Sequence, residues 1–361
     1  MQDSELDGVI DLIGDARIVA IGENNHHIHE FGVIRHRLLR RLRAKGFSTL
    51  GFESGFAEGA KVDAWLRGGA GDVAEIGRDG FTFGLGDSPE MHEMLSWLRS
   101  QDIRYSGLDV PGSGGSPLNA LAAIDSPLAR QAIEATAPYS ALNSALVPYD
   151  KLSETATAVL TELRDSLDDP REIHLATGAL RLDTYLKEIG AMMAGKPIAG
   201  ASRDQYMAET VQYLDQGQKI VLMIHNGHLQ RVPFQIMPGH TVPSAGSYLS
   251  ERYGDEYFAL ALTGAGGTTT GLENDESARL GFRVYEQELG EPAEGSLEAE
   301  LGAVDTVTDL KTSKATKIRH AHLWSEVEVS QAFDAAIQLA NLRVSTAITA
   351  VNPSVRPSPP P

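Results

Sequence analysis

The chain has no cysteine in 361 residues. That absence excludes a thiol nucleophile, disulfides, thiolate-bound metals and iron–sulfur clusters together. Basic residues are also scarce, 31 Lys and Arg against 49 Asp and Glu, for a formal net charge of −18. Neither nucleic acid nor anionic lipid is expected as a partner, because phosphate binding needs a basic face. No apolar run reaches the roughly 18 residues of a membrane span. The start, MQDSELDGVIDLIG, has neither the basic nor the apolar region of a secretory signal. A cytoplasmic protein that does not bind membranes is the expectation. Three familiar signatures are missing as well. There is no G-x-S-x-G elbow, no Walker A loop and no G-x-G-x-x-G after the first strand.

What is present is ordinary in bulk, 42% hydrophobic and 22% charged, and long enough for a large core. Residues 16–22, ARIVAIG, form a short, almost wholly apolar run that suits a buried parallel strand. Further strands are expected over 48–54, 103–109, 219–228 and 257–264. Helices are expected over 5–16, 30–45, 57–66 and 203–214, with Gly46 as a stop for the second. Alternation of this kind predicts an α/β fold, a mostly parallel central sheet flanked by helices. Between 116 and 193 the pattern is almost entirely helical. We expect a helical insertion there (116–199), between the third and fourth strands, forming a cleft wall beside a core of 1–115 and 200–350. Residues 268–298, rich in Gly, Thr and Glu, read as loop. The proline-rich tail, 352–361, reads as disordered.

The polar residues are placed less evenly. Glu23, His26, Glu53, Asp109, His225 and His228 all fall at or just past the C-terminal end of an expected strand. Ligands of parallel α/β sheets bind at that edge, so six titratable groups from four strands would meet in one crevice. Each alone has a plainer reading as a loop-fixing hydrogen-bond partner; their agreement carries the functional one. Asn25, His27 and Asn226 flank these positions and are candidates for orienting the site or binding substrate. His27 and His29 also suit the first turn of the following helix, and Glu30 a packing role. Arg35 reads either as one more solvated arginine of that helix or as the ion-pair partner of a site carboxylate.

Two chemistries fit. A histidine such as His26 can act as general base on water near neutral pH. Alternatively, imidazoles and carboxylates of the cluster could hold a divalent metal that activates water. The spacing is not a metal signature, and a site without cofactor or metal is preferred.

The motifs resemble those of the erythromycin esterase family, enzymes that hydrolyse the lactone of macrolide antibiotics. IGENNHHIHEF, GFESGFAEG, GLDVPG, SRDQYMAETV and VLMIHNGHLQR are similar to family segments in order and spacing over about residues 15–265. The resemblance implies an α/β core with a helical cleft wall, no metal, and His26 as the base that activates water. It implies Glu23 and Glu53 as active-site glutamates, Arg35 as the site arginine, and His225 and His228 as the histidines of the fourth strand. Asn24, Asn25 and His27 depart from the small residues common there, and bear on which substrate fits.

Three functions follow. The first is an esterase or lactonase acting on a small-molecule natural product. The second is a tailoring enzyme of natural-product biosynthesis using the same acid–base set for a cyclisation or elimination. The third is a binding protein that kept the fold, against which the full set of candidate residues argues. A second copy or a protein partner stays open. The late cluster IRHAHLW, with His320 and His322, reads as structural or surface, with the cleft as the other possibility.

Overall fold

The structure is a computed structural model and describes residues 1–196, 198, 200–237 and 240–346. Twelve strands occur among them. They are β1 (Ile18–Ile21), β2 (Phe47–Gly55), β3 (Arg104–Asp109), β4 (Lys219–Met223), β5 (Phe234–Met237), β6 (His240–Val242), β7 (Tyr257–Asn274), β8 (Phe282–Glu288), β9 (Thr306–Asp309), β10 (Lys317–His320), β11 (Leu323–Glu326) and β12 (Ala335–Leu342). The main sheet runs β3-β2-β4-β1-β7-β12-β9, and β8 pairs with the far half of β7. All pairs from β3 to β12 are parallel; β9 and β8 join antiparallel.

Alternation along the central strands sends side chains to two separate cores. Val19 and Ile21 of β1 join Val221, Met223, Leu260 and Leu262 on one face. Ile18 and Ala20 join Ile220, Leu222, Ala259 and Ala261 on the other. Helices cover both faces, which is why β1 is apolar throughout. The His29–Ala44 helix buries Phe31, Ile34, Leu38, Leu39 and Leu42 as its period requires. Arg41 and Arg43 lie in its last turn, and Gly46 follows with φ of 89°. Among the described residues, no helix is long and apolar enough to cross a membrane.

Between β3 and β4 the chain is helical, with helices Leu118–Leu121, Pro127–Thr136, Glu154–Asp165 and Pro170–Met193. These helices carry apolar clusters of their own, around Leu160, Leu163, Leu175 and Ala179 and around Tyr139, Leu182 and Leu186. Asp169 caps the long helix by accepting from the N–H groups of Arg171 and Glu172.

Two expectations fail. Residues 268–298 are not mainly loop, because β7 runs on to Asn274 and β8 returns beside it as a two-stranded ribbon. A glycine that suggests a loop instead permits close packing: a Cβ on Gly271 would lie 2.3 Å from the Tyr285 ring. Residues 219–228 are not one strand either. β4 ends at Met223, and a one-turn helix, Asn226–Leu229, follows with His225 as its N-cap. The tail 352–361 lies outside the described residues.

The mouth of the sheet is drawn together at Gly22. The Asn226 amide donates to Leu262 O (2.9 Å), and its Oδ1 accepts from Leu262 N (3.3 Å), so one side chain mimics a strand between β4 and β7. It occupies the space beside Gly22, where a Cβ would stand 1.8 Å from Asn226 Oδ1. Gly22→Ala is therefore expected to destabilise the fold by about 1–3 kcal/mol, measured by chemical denaturation.

Candidate active site

β1 hands over to the loop Gly22–His26 with a buried carboxylate. Glu23 Oε1 lies 2.9 Å from Arg35 Nη1 and 2.9 Å from His26 Nδ1. The other N–H groups of Arg35 donate to the carbonyls of Gly22 (3.0 Å), Ile21 (3.2 Å) and Ile224 (2.8 Å). One guanidinium thus ties the ends of β1 and β4 and orients Glu23. Asn25 fixes the loop from the opposite side. Its Oδ1 accepts from the His26 N–H (2.9 Å), and its amide donates to Thr269 Oγ1 and Thr270 O (both 2.8 Å).

Glu53, at the end of β2, is 3% exposed. Its Oε2 accepts the His225 backbone N–H at 2.6 Å. Its Oε1 accepts from Arg203 Nη2 at 3.2 Å and faces His228 Nε2 at 3.5 Å and His26 Nε2 at 3.9 Å. Asp109, at the end of β3 and fully buried, accepts from Arg203 Nε (3.0 Å) and Nη2 (2.7 Å). Asp204 Oδ1 lies 2.7 Å from His228 Nδ1. His225 has both ring nitrogens engaged by backbone: Nδ1 accepts from Gly227 N–H (3.0 Å), and Nε2–H donates to Asn24 O (2.9 Å).

These partners separate the titrations. Burial disfavours the imidazolium of His26, but the hydrogen bond and charge of Glu23, with the charge of Glu53, push its pKa above the ordinary value. His228 is likewise raised, because Asp204 and Glu53 outweigh burial. His225 falls well below, through burial and the neighbouring His320 and His26. Burial would raise Glu53, yet His228, His26 and Arg203 hold it far below the usual carboxylate range. Glu23 is lowered by Arg35 and His26 against its own burial.

A cavity of about 380 Å³ opens over this cluster. His26, Glu53, Arg203, Asp204, His225 and His228 form its polar part. Tyr185, Ile189 and Met192 of the Pro170–Met193 helix supply an apolar wall, with Phe83 and Phe234 from other segments. The helical segment after β3 is therefore a cleft wall.

The structure thus brings Glu23, His26, Glu53, Asp109, His225 and His228 together, with Arg35 behind Glu23. Asn25 reaches the cavity. His27 does not: at φ of 62° it turns away, buried against a small separate cavity beside Arg35, Phe52 and Met91. Asn226 also faces away, engaged with β7. Both belong to the scaffold of the site and not to its lining. His29 pairs with Glu90, and Glu30 with Arg343. Residues missed by sequence reasoning are Arg203 and Asp204, at the start of the Ser202–Leu214 helix. His320, read first as structural or surface with the cleft as the other possibility, lines the cavity. Arg203 and Asp204 lie within the SRDQYMAETV motif, but a helix N-terminus carries none of the strand-end logic that selected the others. His322 lies outside the cavity, with Nδ1 3.1 Å from Gln287 Nε2. Among the described residues, no three His, Asp or Glu side chains stand in a metal-holding arrangement.

A parallel sheet that delivers carboxylates and imidazoles into one cavity is an arrangement suited to acid–base chemistry. The family model described as Erythromycin esterase matches residues 42–341, and the chain belongs to that family. It is accordingly an enzyme of the esterase class. Erythromycin esterase type II of Escherichia coli is 29% identical, with 93% of this chain and 92% of that protein covered. Erythromycin esterase type I of the same organism is 27% identical, with 92% and 93% covered. The fold matches a histidine-to-asparagine mutant of the erythromycin esterase EreC in its open conformation (TM-score 0.80, 23% identity, 96% of each chain). It also matches a Bacillus cereus protein (TM-score 0.68, 19% identity, 96% and 94% covered).

The Glu23–His26 pair is testable by titration. In Glu23→Gln, His26 loses the partner that raises it, so its ring should titrate at lower pH than in the wild type, read by histidine NMR. The sign for stability follows. A raised histidine contributes fully below its unfolded value of about 6.5, and the contribution is lost as pH rises through the folded value.

Proposed function

We propose that the enzyme hydrolyses an ester or lactone of a natural product of the macrolide type, with His26 as the base that deprotonates water. The observation that carries the reading is the Glu23–His26 pair. With Nδ1–H donated to Glu23 at 2.9 Å, the other ring nitrogen, Nε2, carries the free lone pair on the cavity side. That nitrogen and Glu53 Oε1 are 3.9 Å apart, too far for a direct hydrogen bond and close enough for one water to touch both. The family membership and the two Escherichia coli relatives support the macrolide ester as substrate class.

In this mechanism the water oxygen attacks the acyl carbon while its proton passes to His26 Nε2. Arg35 keeps Glu23 ionised and in place, which fixes the tautomer of His26. His228, with Nδ1 held by Asp204, presents a protonated Nε2 beside Glu53. It gives that proton to the leaving alkoxide as the carbon–oxygen bond breaks. Glu53 remains ionised throughout and stabilises both imidazolium forms. Arg203 holds Glu53 and Asp109 and closes the ring of charges. His225 has no nitrogen to spare and serves to hold the β4 turn against Asn24.

The second reading, a non-hydrolytic tailoring reaction, drew on the departures at Asn24, Asn25 and His27. Only Asn25 lines the cavity, so bulk at the other two does not reshape it. Incubation with a panel of macrolides and simple esters separates the two readings; cleavage of none of them moves the weight to tailoring.

His26→Ala should lower kcat/KM for lactone cleavage by about 10²-fold or more while the fold survives. A variant within tenfold of the wild type removes His26 as base. Because Glu23 and Glu53 raise His26, the acid limb of the wild-type pH–rate profile should lie above about 6.5. It should move to lower pH in Glu23→Gln.

A further inference from the structure

Among the described residues four imidazoles border the cavity, and three have at least one nitrogen in a hydrogen bond. His26 is held by Glu23, His228 by Asp204, and His225 by two backbone groups. His320 is different. It lines the same cavity, with its ring centroid 4.6 Å from that of His225 and 5.3 Å from that of Phe234. Its nitrogens make no hydrogen bond among the described residues. It arrives from the β10–β11 hairpin, apart from the strand ends that supply His26, Glu53 and His225.

The backbone around this free ring is held hard. Arg319, 1% exposed, donates to the carbonyls of Gly264 (3.1 Å), Ala265 (3.2 Å) and Gly290, and its own N–H donates to Glu298 Oε1 at 3.0 Å. Ala321 has a left-handed φ of 54°, unfavourable for a residue with a Cβ. Its N–H donates at 2.7 Å to Asn24 O, the carbonyl that also accepts from His225 Nε2. The residues on both sides of His320 are thus tied to the scaffold, one of them to the loop carrying Glu23 and His26. Strain of this kind persists only where the surroundings enforce it, and it clusters at functional positions. Burial, with the charges of His228 and His26, pushes His320 down to about 4. Near neutral pH the ring is uncharged, with one N–H to donate. A neutral imidazole fixed in a site polarises a carbonyl without titrating against the base.

We propose that His320 is a substrate-contacting catalytic residue, whose ring N–H donates a hydrogen bond to the acyl oxygen as it becomes the oxyanion. The identity of that oxygen rests on the ester-hydrolysis reading above; the contact itself does not. His320 then supplies the stabilisation of developing charge that His225 has no free N–H to give.

The test uses the full chain with His320→Phe, which keeps a ring against His225 and Phe234 but removes both nitrogens, and His320→Gln, which restores a donor. With erythromycin as substrate, His320→Phe should lower kcat by about 10²-fold with KM within about threefold. The acid limb should stay where it is, because His26 is intact, and His320→Gln should recover about tenfold. Retention of kcat within twofold in His320→Phe overturns the proposal. So does a loss of kcat that accompanies a fall in melting temperature and is not recovered in His320→Gln, which marks a packing role. A second arm needs no turnover: 4-nitrophenyl methylphosphonate, an anionic tetrahedral mimic, should bind at least about tenfold more weakly to His320→Phe. If the wild type cleaves no ester, the hydrolytic reading falls, and that tenfold difference upholds the contact. Equal binding by wild type and variant, or binding by neither, overturns it.

Discussion

Glu53 is a carboxylate sealed at the end of a strand, and the arrangement of the site follows from the need to compensate its charge. A buried anion without partners is expensive enough to be neutralised instead. Here the His225 N–H takes one oxygen, and Arg203, His228 and His26 surround the other. These donors come from three separate stretches of chain. The compensation of one charge therefore specifies where the Glu23–His26 loop, the Ser202–Leu214 helix and the β4 turn must stand. The same cluster holds Glu53 far below the usual carboxylate range, so it stays ionised near neutral pH.

The four imidazoles that line the cavity among the described residues are chemically one side chain with three behaviours, and their partners set the difference. A carboxylate on Nδ1 raises His26 and His228 and leaves Nε2 facing the cavity. Backbone on both nitrogens makes His225 a neutral brace. His320, with no hydrogen-bond partner among the described residues and in an enclosed place near two imidazoles that favour the charged form, is neutral near neutral pH. Which rings favour the charged form and which stay neutral follows from these partners and not from proximity to the cavity, which all four share.

Rigidity comes from Arg35 and Asn226, which do not reach the cavity, and from Asn25 at its edge. Arg35 spends its guanidinium on three carbonyls and Glu23, Asn226 bridges β4 and β7 in the space left by Gly22, and Asn25 binds the β7–β8 ribbon. That ribbon also meets the hairpin carrying His320, through Gln287 and His322. Proton transfer needs heavy atoms placed within hydrogen-bond reach, and these ties are what place them.

Much of the fold and part of the site were legible in the chain itself. Apolar runs such as Ile18–Ile21 have no use but a doubly covered strand, and period-two burial along them decides two cores. Parallel topology then places whatever follows each strand at one edge, which is why Glu23, Glu53, Asp109 and His225 could be grouped without coordinates. Composition misled where glycine and threonine packed into β7 instead of forming a loop. Local pattern also could not tell which of two adjacent histidines faces the cavity. A left-handed backbone at His27 sends its ring to the other side of Glu23 from His26, and that turn is enforced by contacts with β12's end and the ribbon, through Ser345 N–H on His27 O and Thr270 on His26 O. Arg203, Asp204 and His320 entered the site only through packing, because a helix start and a hairpin corner carry no positional rule linking them to strand ends. What the sequence determined alone was periodic and local: the strands, the helices and the edge at which their ends emerge. Which imidazole holds a proton was left to the tertiary structure, since a pKa depends on burial and on charges a few ångströms away, most of them brought there by segments distant in the chain.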